Sequence, residues 1–218
     1  MRKEKFLKEQ QYNKILENSG VSILNNADLI SVDIQPEYHE AFTFDEMSFG
    51  NMINENYDSL ARLTFLFNGP DLGFPSEDEY KHWLWEECGI EEHIVYNSYY
   101  YDKGYAFFRY CIDFGVDDDD LADLVKFMVR HDINDSRDMD EEMWILFMKE
   151  YNHDQSEVRD LLEFSDDMIN IPDVMEFLQN YNQNIVLCGG GLQECLKEVE
   201  IALMAMDKPY RLYTQYTY

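Results

Sequence analysis

Positive charge is scarce in this sequence. Seventeen lysines and arginines stand against 45 aspartates and glutamates over 218 residues, a formal net charge of −28. So acidic a chain repels phosphate backbones at long range, and its basic residues are scattered apart from a small cluster at Arg2, Lys3 and Lys5. General nucleic-acid binding is therefore not expected. A solvated acidic surface is the ordinary meaning of such a balance. Long apolar runs are also missing. None approaches the roughly 18 residues of a membrane span, and the opening MRKEKFLKEQQYNKIL lacks the apolar centre of a signal peptide. The expectation is no membrane segment and a cytoplasmic location, where thiols stay reduced. The four cysteines, Cys88, Cys111, Cys188 and Cys195, have no CxxC spacing, and the five histidines form no HExxH pair. Neither a disulfide frame nor a zinc site is expected.

What remains is a chain able to build a core, with 45% hydrophobic and 15% aromatic residues. Residues 3 to 18 follow a helical pattern closed by Gly20. Leu29-Ile30-Ser31-Val32 is an apolar run that turns polar at Asp33 and is stopped by Pro36, as in a buried strand whose carboxyl end presents a side chain. Leu63 to Phe67 is a second run, closed by Asn68-Gly69-Pro70. The helical stretch Glu46 to Glu55 lies between them, making a β-α-β unit with parallel pairing. Ser76 to Glu79 is a capping box opening a helix towards Cys88 and Gly89. His93 to Tyr101, rich in β-branched and aromatic residues, predicts a third strand. Residues 106–181 are mostly helical and acidic. Asn184 to Cys188 predicts a strand, Gly189-Gly190-Gly191 a tight turn, Leu192 to Met206 a helix, and Tyr210 to Tyr218 a last strand. The fold class expected is α/β: a Rossmann-like three-layer fold with a mostly parallel sheet, one domain over 1–218, and a helical insertion at 106–181 before the last strand-turn-helix.

In open parallel sheets, ligands bind beyond the carboxyl ends of strands where the strand order reverses. Two segments suit that place. Val32-Asp33-Ile34-Gln35-Pro36 carries a carboxylate just beyond a strand. Cys188-Gly189-Gly190-Gly191 lets backbone approach a ligand, with a helix N-terminus behind it to favour an anion. Cys195 falls in the first turn of that helix, where the dipole enriches the thiolate. A nucleophilic cysteine also needs a base and a cation. Asp33 is the candidate base, and Lys103, following the third predicted strand, the candidate cation.

Three of these segments resemble the landmarks of the isochorismatase-like cysteine hydrolases. Val32-Asp33-Ile34-Gln35 resembles that family's D-x-Q after strand one. Lys103-Gly104-Tyr105-Ala106-Phe107 resembles its lysine before a small-Phe pair. Cys188-Gly189 with Cys195 resembles its strand-C-G-(five residues)-C-helix segment. The resemblance implies Asp33 as base, Cys195 as nucleophile and Lys103 as stabilising cation. It places Gln35 and the Gly189, Gly190 and Gly191 backbone around the substrate, beside the oxyanion hole. The implied reaction is hydrolysis of an amide or related C–N bond of a small molecule through a thioester-type intermediate, without a metal or other cofactor.

Two other readings use the same residues differently. A PIN-like metal-dependent nuclease gathers carboxylates at this sheet edge, and Asp33, Glu37, Asp71, Glu194 and Glu198 would supply oxygen ligands for Mg²⁺. A non-catalytic binding or inhibitory protein would present its carboxylates to a basic protein partner, with the aromatic stretch Tyr96 to Tyr110 as a contact surface.

Overall fold

A computed structural model describes residues 2–20, 22–69, 76–103, 116–153, 173–181, 184–192 and 194–218. Five strands form one sheet: β1 (Asp28–Val32), β2 (Arg62–Phe67), β3 (Tyr99–Asp102), β4 (Ile185–Gly189) and β5 (Tyr210–Leu212). Their order is β3-β2-β1-β4-β5, and every pairing is parallel. The fold is of the expected α/β, Rossmann-like three-layer class. Helices α1 (Arg2–Asn18), α2 (Glu46–Asn56), α3 (Glu77–Glu86) and α4 (Glu92–Asn97) precede or connect the first three strands. Later in the chain come α5 (Asp118–Arg130), α6 (Glu141–Tyr151), α7 (Asp173–Leu178) and α8 (Cys195–Ala205).

The chain forms two compact units, one of residues 1–104, 181–196 and 209–218, the other of 105–180 and 197–208. In the first unit, β1 and β4 are buried along their whole length. Both lie inside the sheet and are covered on both faces, which is why they read as continuous apolar runs rather than alternating ones. On one face Leu29, Leu63, Phe65, Phe67, Val186 and Cys188 pack with Phe49, Met52 and Ile53 of α2 and with Tyr80 and Leu84 of α3. Gly50 lets α2 come this close, since a Cβ there would lie 1.7 Å from the Cys88 carbonyl oxygen. The Ser76 capping box is present: the Ser76 side chain accepts from the Glu79 N–H, and Glu79 reaches back to the Ser76 N–H.

In the second unit, α5 buries one stripe containing Leu121, Leu124, Val125, Phe127 and Met128. Its Phe127 ring meets Phe147 of α6 edge-on at 5.5 Å. Asp117 caps α5, and Asp118, Asp119 and Asp120 fill its first turn, where the helix dipole favours negative charge. Asp140 caps α6 and Asn152 closes it in the left-handed conformation.

Three boundaries differ from expectation. Residues 93–101 are not one strand: α4 occupies Glu92–Asn97, and the strand is Tyr99–Asp102. Ile94 and Val95 are adjacent and both buried, an arrangement one helical turn provides and alternating strand geometry does not. The last strand stops at Leu212, and a 3-10 turn follows at Thr214–Tyr216. The helix after the glycines starts at Cys195 rather than Leu192, because the Glu194 and Leu196 N–H groups both turn back to the Gly191 carbonyl, at 2.9 and 3.3 Å.

Candidate active site

The order of the sheet reverses between β1 and β4, so the crevice of this fold opens beyond Val32 and Gly189, which are register partners. Asp33 is the first residue past β1. Its N–H extends the ladder to the Leu66 carbonyl at 2.8 Å, and the backbone then turns left-handed at φ +46°. For a residue with a Cβ that conformation costs roughly 1–2 kcal/mol, so it is held by its surroundings. The Asp33 side chain is fully buried.

Lys103 is the first residue past β3, and its N–H extends the β2–β3 ladder to the Phe67 carbonyl at 2.9 Å. From there its side chain reaches Asp33. Nζ lies 3.1 Å from Oδ2, with the lysine side chain 4% exposed and the aspartate side chain 0%. The contact is an ion pair of irregular hydrogen-bond geometry, and neither Asp33 oxygen accepts a regular hydrogen bond among the described residues. The carboxylate is thus paired with a buried cation.

Cys195 is the first residue of α8 and is 4% exposed. Its position is one the helix dipole favours for a thiolate. Cys188 lies on β4 with its thiol pushed up to about 12 by burial. That thiol is inert at neutral pH. Cys88 is likewise driven up by burial, with Glu46 and Glu87 adding to the effect.

The glycine turn has two parts. Gly189 is the last residue of β4, and a Cβ there would sit 2.3 Å from the Val32 carbonyl oxygen, so only glycine fits at its φ of +76°. Gly190 and Gly191 make the turn itself. The Leu192 and Glu194 N–H groups are committed to the Tyr218 and Gly191 oxygens at 2.7 and 2.9 Å. A donor to an oxyanion has to come from elsewhere in the turn.

Gln35 is buried and braces the ends of two strands. Its Oε1 accepts from the Asn68 N–H at 3.0 Å, and its Nε2 donates to Glu37 at 3.3 Å. Asn68 Nδ2 in turn donates to Tyr38 Oη at 3.2 Å. Burial, followed by the negative charges of Asp33 and Cys195, pushes the Tyr38 phenol up to about 12. The Tyr218 phenol is also driven up, by burial first and then by Asp33 and Cys195.

The structure brings Asp33 and Lys103 into contact just beyond β1 and β3, while Cys195 begins α8, the helix that follows β4 and its glycine turn. The structure adds Tyr38, Asn68 and Tyr218 to the residues around Asp33 and Gln35. For Asn68 a signal existed, since it sits just past β2 in a turn read only as a strand stop. Tyr38 and Tyr218 lie in a 3-10 turn and beyond the last strand, with no local pattern to mark them. Ala106, Phe107 and Asp71 lie outside the described residues. Of the other carboxylates considered for Mg²⁺, Glu37 bonds to Gln35, Glu194 is exposed, and Glu198 belongs to the second unit. Among the described residues no three His, Cys, Asp or Glu side chains are grouped to hold a metal ion. No helix of those residues is long and apolar enough to cross a membrane. Comparison with protein-family models, curated proteins and solved structures finds no match to this chain.

Proposed function

We propose that this protein is a cysteine-dependent hydrolase of an amide or related C–N bond in a small molecule. The observation that carries the reading is the buried Lys103–Asp33 pair, 3.1 Å apart, beyond the strands of a sheet whose β4 leads through the glycine turn to Cys195 at the start of α8. In this reading Asp33 serves as the base, Lys103 as the cation and Cys195 as the nucleophile. Asp33 takes the thiol proton, and the Cys195 sulfur attacks the carbonyl carbon to give a tetrahedral oxyanion. The C–N bond then breaks, and the proton on Asp33 goes to the leaving nitrogen, leaving a thioester. Water gives a proton to Asp33 as its oxygen attacks the thioester carbon, and the sulfur departs as thiol when that proton returns. Lys103 balances the charge of Asp33 within the buried pair.

The charge balance narrows the substrate. Lys103 is already matched by Asp33, and the nearby Glu37 and Glu194 are acidic. A carboxylate-bearing substrate is therefore disfavoured relative to a neutral or cationic amide.

The test is alkylation by iodoacetamide at neutral pH, with labelled sites mapped by mass spectrometry. Cys195 is expected to label ahead of Cys88, Cys111 and Cys188, and to slow at least tenfold in Asp33→Asn. A Cys195 no faster than the other thiols overturns the hydrolase reading and leaves a binding role for the acidic surface.

A further inference from the structure

We infer that Tyr218 is a positioning residue that locks the Asp33 turn to the glycine turn and so fixes the base relative to the Cys195 helix. Its consequence for reactivity rests on the hydrolase reading, whereas its structural content does not.

Tyr218 joins the two sides of the switch point through three hydrogen bonds. Its Oη donates to the Asp33 carbonyl at 2.9 Å, on the β1 side. Its N–H donates to the Gly190 carbonyl at 3.3 Å, and its backbone oxygen accepts from the Leu192 N–H at 2.7 Å, on the β4 side. Asp33 is thereby held at both ends of its left-handed residue, by Leu66 through its N–H and by Tyr218 through its carbonyl. A side chain with φ +46° keeps its direction only while such flanking contacts persist. Here the direction is what points the carboxylate at Lys103.

The route by which Tyr218 arrives is equally constrained. Tyr213 extends β5 by donating its N–H to the Leu187 carbonyl at 2.8 Å. Tyr216 is buried, donates its hydroxyl to the Ser48 carbonyl at 3.0 Å, and packs edge-on against Phe44 and Phe49 at 5.3 and 5.7 Å. The segment is therefore anchored two residues before Tyr218. The Tyr218 ring itself rests on Phe42 at 5.1 Å, and Phe42 stacks on Phe44 at 4.9 Å. Burial keeps the Tyr218 phenol protonated well beyond neutral pH, with Asp33 and Cys195 adding to the effect. It therefore remains a donor over the working range.

The anchoring at Tyr216 makes a conservative test informative. Tyr218→Phe keeps the ring and both backbone bonds and removes only the hydroxyl bond to Asp33. A residue that merely fills space would tolerate this change. The expected result is a thermal midpoint within a few degrees of the parent, with Asp33 amide hydrogen exchange about fivefold faster, the population change that loss of one hydrogen bond brings. The Tyr213 amide is expected to exchange at the parent rate. Cys195 alkylation by iodoacetamide should slow by a similar factor at pH 7. Unchanged Asp33 exchange in Tyr218→Phe overturns the inference. Faster Asp33 exchange in a protein whose parental Cys195 never reacts supports the positioning role and overturns the hydrolase reading instead.

Discussion

Replacing Lys103 by methionine probes the most buried charge in the crevice. The substitution keeps the length and apolar stem of the side chain and removes the ammonium that lies 3.1 Å from Asp33 Oδ2. Asp33 would then be a fully buried carboxylate without its cation. Removing one partner of a buried pair typically costs about 3–5 kcal/mol. For a chain of this size each kcal/mol moves the thermal midpoint by about 2–4 °C, so Lys103→Met is expected to lower it by about 6–20 °C. Asp33→Asn in the same background removes the stranded charge and should recover most of that loss, because neutral replacement of both partners is often tolerated. The assay is a double-mutant cycle: parent, Lys103→Met, Asp33→Asn and the double variant, each unfolded by urea at pH 7. The cycle cancels whatever else each side chain does alone. A coupling energy of at least about 2 kcal/mol is expected. A Lys103→Met loss below about 1 kcal/mol, or two single losses that simply add, would refute the claim that the pair is dry and mutually dependent.

Two further outcomes follow from the packing. Gly189→Ala places a Cβ 2.3 Å from the Val32 carbonyl oxygen at φ +76°, and should destabilise by at least about 2 kcal/mol from strain and overlap together; a urea midpoint like the parent's would mean the β1–β4 crevice is looser than described. The phenols of Tyr38, Tyr80, Tyr100 and Tyr218 are all raised from 10.0, burial being the largest cause for each. The unfolded chain then releases these protons first as pH rises, so the phenols' contribution to stability is level below about pH 10 and is lost above it; ultraviolet titration should show a fraction of the 16 tyrosines ionising only as the protein unfolds, and full reversible ionisation of all of them near pH 10 would contradict this.

What could be read from the sequence follows from how much of each element's environment is local. β1, β2 and β4 are enclosed by the sheet, so Leu29 to Val32, Leu63 to Phe67 and Ile185 to Cys188 had to be continuous apolar runs, and they were visible as such. β3 is an edge strand of four residues with a half-exposed burial pattern. Its neighbour α4 is six residues long, and over so short a span β-branched and aromatic residues cannot report which periodicity holds. The aromatic tail after Leu212 misled for a related reason. Its tyrosines suit a strand by propensity, yet Tyr216 packs against Phe44 and Phe49 of a distant segment, and that packing sets the local backbone.

The candidate site divides along the same line. Asp33 and the glycines were legible because strand order and turn chemistry act within a few residues of each. Lys103 was singled out only because it followed a predicted strand and matched a family pattern. The physical reason it reaches Asp33 lies in β2, which separates the two strands and sets the span its side chain must bridge. Tyr218 has even less local logic, since it acts on a carbonyl 185 positions earlier in the chain. A carboxylate in a strained left-handed turn is useful only while something distant keeps it there. Candidates for chemistry can therefore be picked out by type and spacing, while the residues that hold them in place emerge only from the closed fold.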